Sequence, residues 1–160
     1  GRDGRVLAGG RINETPLLSG ALTSLVLNPS WHVPKRIKDE LDRLAAKNPG
    51  FYDAYRLYVD DEGNERVVQP PGPDSALGRV KLAFTNNLGI FLHDTPHKDL
   101  FQRTVRAYSH GCVRVENATD LARNILDDDP QTLSAQHATQ LLRTYIDPPE
   151  IGRAPCRASG

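Results

Sequence analysis

Ser109-His110-Gly111-Cys112 is the densest group of reactive side chains in this 160-residue sequence. A thiol attacks a carbonyl as its thiolate, and an ordinary cysteine, with a pKa of about 8.5, needs help to reach that form near neutrality. A nearby imidazole, a positive charge or a helix N-terminus supplies that help. Arg114 follows Cys112 by two residues, and Asn117, five residues on, is a good cap for a helix. Gly111 permits backbone conformations closed to other residues. Consecutive N–H groups around Gly111 and Cys112 can then form an oxyanion hole. His93, nineteen residues before Cys112, is a candidate general base. The residue types alone leave two readings open. One is a catalytic Cys–His pair; the other is a small buried cysteine beside a hydrogen-bonded structural histidine.

The elements that must position this pair read mostly as strands. Residues 5–27 hold short apolar clusters (Val6-Leu7, Leu17-Leu18, Leu22, Leu25-Val26-Leu27) divided by Gly, Asn-Glu and Pro, a pattern suited to short strands. Pro34 sits where it can open a helix. From Lys35 to Lys47, Ile37, Leu41, Leu44 and Ala45 recur at helical spacing, and Asn48-Pro49-Gly50 ends the run. An aromatic stretch (Phe51, Tyr52, Tyr55, Tyr58) leads to a turn at Asp60–Asn64 and a returning strand at Val67-Val68. Gln69-Pro70-Pro71-Gly72-Pro73 can be neither helix nor central strand. Residues 32–68 are thus a helix-plus-hairpin excursion from a β framework. Val80, Leu82 and Phe84 alternate cleanly, Asn86-Asn87 turns, and Ile90-Phe91-Leu92 forms a strand ending at His93-Asp94. After the Cys group, a helix from Asn117 to about Leu126 places Ala118, Leu121, Ala122 and Ile125 on one face, and a last helix covers roughly 132–145.

Composition narrows the functions. Twenty basic and twenty acidic side chains cancel, which argues against a phosphate-dominated partner such as nucleic acid. An apolar share of 38% suits a single folded domain, and no run approaches the roughly 18 apolar residues that span a bilayer. No group of residues has metal-ligand spacing. Cys112 and Cys156 stand in different settings and are not expected to pair, since a disulfide framework usually needs more than two cysteines.

The run from Ile90 through Arg114 resembles the L,D-transpeptidase catalytic domain, whose mark is a His followed about nineteen residues later by Ser-His-Gly-Cys. Here the pieces are His93-Asp94-Thr95-Pro96, Leu100-Phe101, Arg106-Ala107 and Ser109-His110-Gly111-Cys112-Val113-Arg114-Val115. The wording is similar to the large periplasmic branch of Gram-negative bacteria. So are Asn28-Pro29-Ser30-Trp31-His32-Val33-Pro34, Gln69-Pro70-Pro71-Gly72-Pro73 and Ala76-Leu77-Gly78-Arg79-Val80-Lys81. The resemblance runs from about Gly10 to about Tyr145.

What the resemblance implies is a peptidoglycan cross-linking enzyme of the cell wall, with a role in cell shape. Its fold is mainly β with helices (α+β), a sandwich or barrel with an inserted flap and a helix after the Cys motif. The catalytic domain is expected over 5–146, with 32–68 as a capping subdomain. Cys112 is the nucleophile and His93 the general base and acid. His110 and Gly111 shape the pocket and the oxyanion site, while Ser109, Arg114, Trp31 and Tyr55 contact substrate. Arg114 suits substrate carboxylates; the alternative is a structural pairing with a local carbonyl or an acid such as Glu116. For Trp31, Tyr52 and Tyr55 the alternative is that they fill the flap's own core. Either Asp94 or a backbone carbonyl orients the base. Phe91 stands where relatives often carry Tyr, so a hydroxyl is absent there. His32, His97 and His137 are expected to be structural or on the surface.

The implied reaction needs no cofactor and no metal. Its partners are peptidoglycan stem peptides, with carbapenems as covalent inhibitors, and the expected state is a periplasmic monomer whose targeting segment lies outside this stretch. A tetrapeptide donor loses D-Ala, forms a thioester on Cys112 and is passed to an amine, giving a 3→3 cross-link. Rival readings are an L,D-carboxypeptidase, with water as acceptor, and an inactive peptidoglycan-binding module. Residues 147–160 fit no element of the family. Ile151–Arg157 reads like a translated sequencing adapter, so the domain is expected to be truncated at its C-terminal side and the tail disordered or artefactual.

Overall fold

The computed structural model describes residues 5–9 and 14–128. Along the chain run β1 (Val6–Gly9), β2 (Leu22–Leu27), the two-residue β3 (Trp31–His32), helix α1 (Lys35–Ala45), β4 (Arg56–Val59) and β5 (Glu65–Gln69). Then come β6 (Val80–Phe84), β7 (Phe91–His93), a 3-10 turn at Lys98–Gln102, β8 (Ala107–Ser109), β9 (Val113–Val115) and helix α2 (Ala118–Asp128). The strands form two sheets, one in the order β2-β6-β7-β9-β1-β8 and the other β3-β5-β4. The architecture is α+β.

The period-2 alternation of β6 sets the two faces of the larger sheet. Val80 and Leu82 point to one face, are fully buried, and pack with Val115 of β9 and Ala118 and Ala122 of α2. The two alanines, four apart, let the helix come close to the strands. Burying a side chain such as Leu82 contributes about 1.5–3 kcal/mol. With α2 covering this face, the residues between (Lys81 on β6, His93 on β7) belong to the other face. The 3-10 turn, which the sequence reading did not anticipate, seats Phe101 in the interior at 1% exposure.

The second sheet and α1 make a small unit with its own core of Val33, Ile37 and Val67, joined by Trp31, Leu41, Tyr52 and Tyr55. Its strands extend one residue beyond each end of the expected 32–68 excursion. Phe51 and Tyr55 stack with ring centroids 5.9 Å apart, and Tyr52 meets Tyr55 edge-on at 5.5 Å. The Tyr52 hydroxyl donates to Asp42 across 2.6 Å. Burial, then that carboxylate, pushes the phenol up to about 12. Lys38 is held between Asp42 at 2.7 Å and Glu65 at 3.0 Å, tying α1 to β5.

Three local expectations change. Leu17-Leu18 is not a strand, and Leu17 is fully exposed, because among the described residues no neighbouring strand pairs with residues 14–20. Helix α1 ends at Ala45, two residues early, and Leu44 faces solvent, so the buried stripe is narrower than the sequence suggests. The helix expected over 132–145 and the tail over 147–160, with His137 and Cys156, lie outside the described residues.

Candidate active site

The parallel pairing of β7 with β9 brings the two candidate catalytic residues together. Its register sets Leu92 beside Val113 and His93 beside Arg114. Cys112 immediately precedes β9 and so comes beside Phe91 at the start of β7. Alternate residues share a face, so Phe91 and His93 on one strand and Cys112 and Arg114 on the next project to the same side. All four line a cleft of about 320 Å³. Leu92 and Val115 point the other way, into the core.

His93 is 5% exposed. Its Nδ1 lies 2.5 Å from the main-chain carbonyl oxygen of Asp94. A carbonyl only accepts, so Nδ1 carries the proton and Nε2 is left as the basic nitrogen. Burial, above all, lowers the imidazole pKa to about 4, and the Arg114 and Lys81 charges push the same way. The ring is therefore a neutral base at ordinary pH.

Of the two expected candidates for orienting the base, the backbone carbonyl does so; the Asp94 carboxylate is occupied elsewhere. It accepts from Lys98 Nζ at 2.5 Å and from the Arg79 backbone N–H at 2.9 Å. Asp94 N–H donates to the Val80 carbonyl at 2.9 Å. Gly78 makes this clamp possible. Its φ of +61° suits glycine, and a Cβ there would stand 2.5 Å from Asp94 Oδ2.

Cys112 is a free, half-buried thiol. Burial raises its pKa, while a backbone hydrogen bond from Phe91 and the Lys81 charge oppose the rise. The resting pair is neutral thiol and neutral imidazole. Sγ lies 3.9 Å from the Gly89 carbonyl, its hydrogen-bond acceptor in this conformation, and no hydrogen bond joins it to His93. A free enzyme commonly tightens such contacts only with substrate bound.

The remaining candidates separate. Arg114 lines the cleft, and its Nε is buried with no acceptor among the described residues. Burial lowers its pKa. The alternative pairing with Glu116 does not occur, because Glu116 is taken by Arg5 in a bidentate pair at 2.7 and 2.8 Å. Ser109 lines the cleft but is 6% exposed, with Gly111 N–H 3.4 Å from its Oγ. His110 turns toward α1, where Nε2 meets Glu40 at 3.0 Å. Gly111, at φ +112°, lines a smaller adjoining cavity of about 250 Å³. Trp31 and His32 border the main cleft, whereas His97 is exposed. Tyr55, expected to contact substrate, is not among the cleft residues; it is committed to the aromatic packing of the small unit.

Lys81 was missed by sequence reasoning. It lies opposite His93 in the β6–β7 register, with Nζ 4.2 Å from the centroid of the Phe91 ring. The signal was available, since the Val80-Lys81-Leu82 alternation puts this cation on the face opposite the core. That cation–π contact holds its charge near both the thiol and the imidazole.

The chain is similar to known proteins. Residues 2–133 match the profile of the YkuD family, the L,D-transpeptidase catalytic domain. A Haemophilus influenzae protein named "Putative L,D-transpeptidase" is 34% identical over 146 residues, covering 79% of this chain. The chain spans 29% of that protein's length. With its histidine and cysteine lining one cleft, the chain belongs to the L,D-transpeptidase catalytic domain family.

Proposed function

We propose that this domain is a peptidoglycan L,D-transpeptidase that forms 3→3 cross-links through a Cys112 thioester. The observation that carries the reading is one cleft holding a thiol, a buried neutral imidazole whose Nε2 is the basic nitrogen, and a half-buried arginine whose Nε–H is buried with no acceptor among the described residues. The donor is a tetrapeptide stem. As Sγ bonds to the carbonyl carbon between its third and fourth residues, the thiol proton passes to His93 Nε2. The C–N bond breaks, and His93 returns the proton to the departing D-Ala amine. The side-chain amine of a neighbouring diaminopimelate then attacks the thioester carbonyl and gives up a proton to His93. The C–S bond breaks, and the thiol is restored.

Arg114 suits a carboxylate of the stem. A buried N–H of a charged group left without an acceptor is costly, and an anionic ligand would supply the partner. The small unit serves as a cap, because Trp31 and the Arg36–Leu41 side of α1 form one wall of the cleft. Carbapenems fit the same chemistry as acylating inhibitors of Cys112. A peptidoglycan substrate is compatible with work in the periplasm.

The test is intact-mass spectrometry of the protein after incubation with tetrapeptide muropeptides. A tripeptide adduct on Cys112, absent from Cys112→Ala, and cross-linked dimers as products are expected. Tripeptide without dimer would reassign the domain as an L,D-carboxypeptidase. A folded protein that forms no adduct would leave only the binding-module reading.

A further inference from the structure

The Ser109–Cys112 loop is gripped from outside at two consecutive peptide units. Thr15 Oγ1 donates to the Gly111 carbonyl across 2.8 Å. One guanidinium nitrogen of Arg36 donates to the His110 carbonyl across 3.1 Å. One turn further along α1, Glu40 holds the His110 ring at 3.0 Å. Neither Thr15 nor Arg36 is near the loop in sequence, and neither figures in the chemistry above.

Peptide geometry gives these grips a consequence. In a trans peptide the C=O of one residue and the N–H of the next point in opposite directions, and no cis peptide occurs among the described residues. Thr15, drawing the Gly111 carbonyl outward, turns the Cys112 N–H the opposite way. Arg36 does the same to the Gly111 N–H through the His110 carbonyl. That second N–H meets Ser109 Oγ only at 3.4 Å, a long contact that a better acceptor can replace. Gly111 itself supplies the φ of +112° that sets the angle between the two planes, in open space where no Cβ contact arises.

We propose that Thr15 and Arg36 are positioning residues that aim the Cys112 and Gly111 N–H groups at the oxyanion formed during acylation. The inference rests on the acyl-transfer reading of Cys112 but not on its stem-peptide substrate. It makes loop alignment depend on α1 of the small unit and on the segment before β2, so the oxyanion site is assembled from three separate parts of the chain.

The experiment compares two reactions of one thiol, in the 160-residue chain carrying Cys156→Ser so that only Cys112 reacts. Acylation by p-nitrophenyl acetate forms the S–C bond, breaks the ester C–O bond and passes through an oxyanion. Alkylation by iodoacetamide displaces iodide and forms none. Thr15→Val and Arg36→Met are expected to slow acylation by about 10- to 100-fold, the scale of a lost oxyanion donor. Alkylation should stay within about twofold of the parent, and Thr15→Ser should restore acylation. A structural role alone would slow both reactions together, and that result overturns the proposal. Unchanged acylation overturns it as well, as does a parent protein that shows no acylation advantage over a small-molecule thiol of equal alkylation rate. Inertness toward muropeptides, by contrast, would count against the substrate reading only.

Discussion

His93 Nδ1 donates to the main-chain carbonyl of its own neighbour, Asp94, across 2.5 Å, while the Asp94 side chain turns away to Lys98 and the Arg79 N–H. One residue thus orients the base with its backbone and anchors that backbone with its carboxylate. Asp94→Asn keeps the carbonyl and can still accept from Arg79, but gives up the ion pair. We expect it to slow acylation of Cys112 by less than about tenfold, against the roughly 10⁴-fold seen when a true triad carboxylate is lost. His93→Gln should cost about 10²–10⁴-fold. Single-turnover acylation rates decide the matter. A loss for Asp94→Asn on the scale of His93→Gln would mean that the carboxylate itself takes part.

The buried imidazole also makes stability depend on pH. His93 titrates at about 4 in the folded protein against 6.5 for the ordinary side chain. Between those values the unfolded chain binds the proton more readily, so stability falls as pH drops from 6.5 toward 4 and the loss is complete below. A shift of that size corresponds to about 3 kcal/mol. Urea unfolding at pH 7 and pH 4.5 should show it, and His93→Gln should remove this component. An equal acid loss in His93→Gln would assign the effect to other groups.

Gly78 should be intolerant of the smallest side chain. Alanine there combines a φ of +61° with a Cβ 2.5–2.6 Å from three Asp94 atoms. Left-handed backbone strain costs about 1–3 kcal/mol, and any relief must displace the residue that orients His93. Gly78→Ala is therefore expected to lower both the unfolding midpoint and the acylation rate, whereas Gly63→Ala, at a φ of +80° with nothing within 4 Å, should lower only the first.

On the proposed reading, Arg114 gives up stability for binding. Its Nε is buried without an acceptor, and burial lowers its pKa. Arg114→Met keeps much of the volume and removes the unpaired charge. It should leave thermal stability equal or raise it by about 1 kcal/mol. KM for an anionic stem peptide should rise at least about tenfold, the loss of one charge-assisted contact. A destabilised variant with unchanged KM would show that the guanidinium serves the fold instead.

His93 and Cys112 were candidates by residue type, and types and spacing alone left two readings open. The resemblance of the His93-to-Cys112 motif to the L,D-transpeptidase domain joined them as a pair, and the parallel β7–β9 register then brings both into one cleft. The orienting group was not legible, since the carbonyl and carboxylate of Asp94 belong to one letter of the sequence. Arg114 and Glu116 looked like natural partners, two residues apart. The sheet places Arg5 beside Glu116 instead, through the pairing of Val6 with Val115. Tyr55 and Trp31 read alike as aromatics of one excursion. Only the packing of the small unit shows that Tyr55 belongs to its core, while Trp31 also borders the cleft. Thr15 carried no sequence signal, because its partner carbonyl is 96 residues away.

The point where the chain leaves the large sheet and the point where it returns are the same place. β2 ends at Leu27, β6 begins at Val80, and these two residues are paired in the antiparallel ladder. The next step is closed by the Asn28 N–H on the Arg79 carbonyl at 2.8 Å. Everything between hangs from a single hairpin mouth. A segment with such a base is a cassette: its length and packing leave the register that aligns His93 and Cys112 set by the ladder itself. The fold thus keeps the excursion and the ladder that carries the bond-making pair joined at one paired step. The few side chains that reach across from the cassette, Arg36 and Glu40 foremost, are what any replacement would have to supply again.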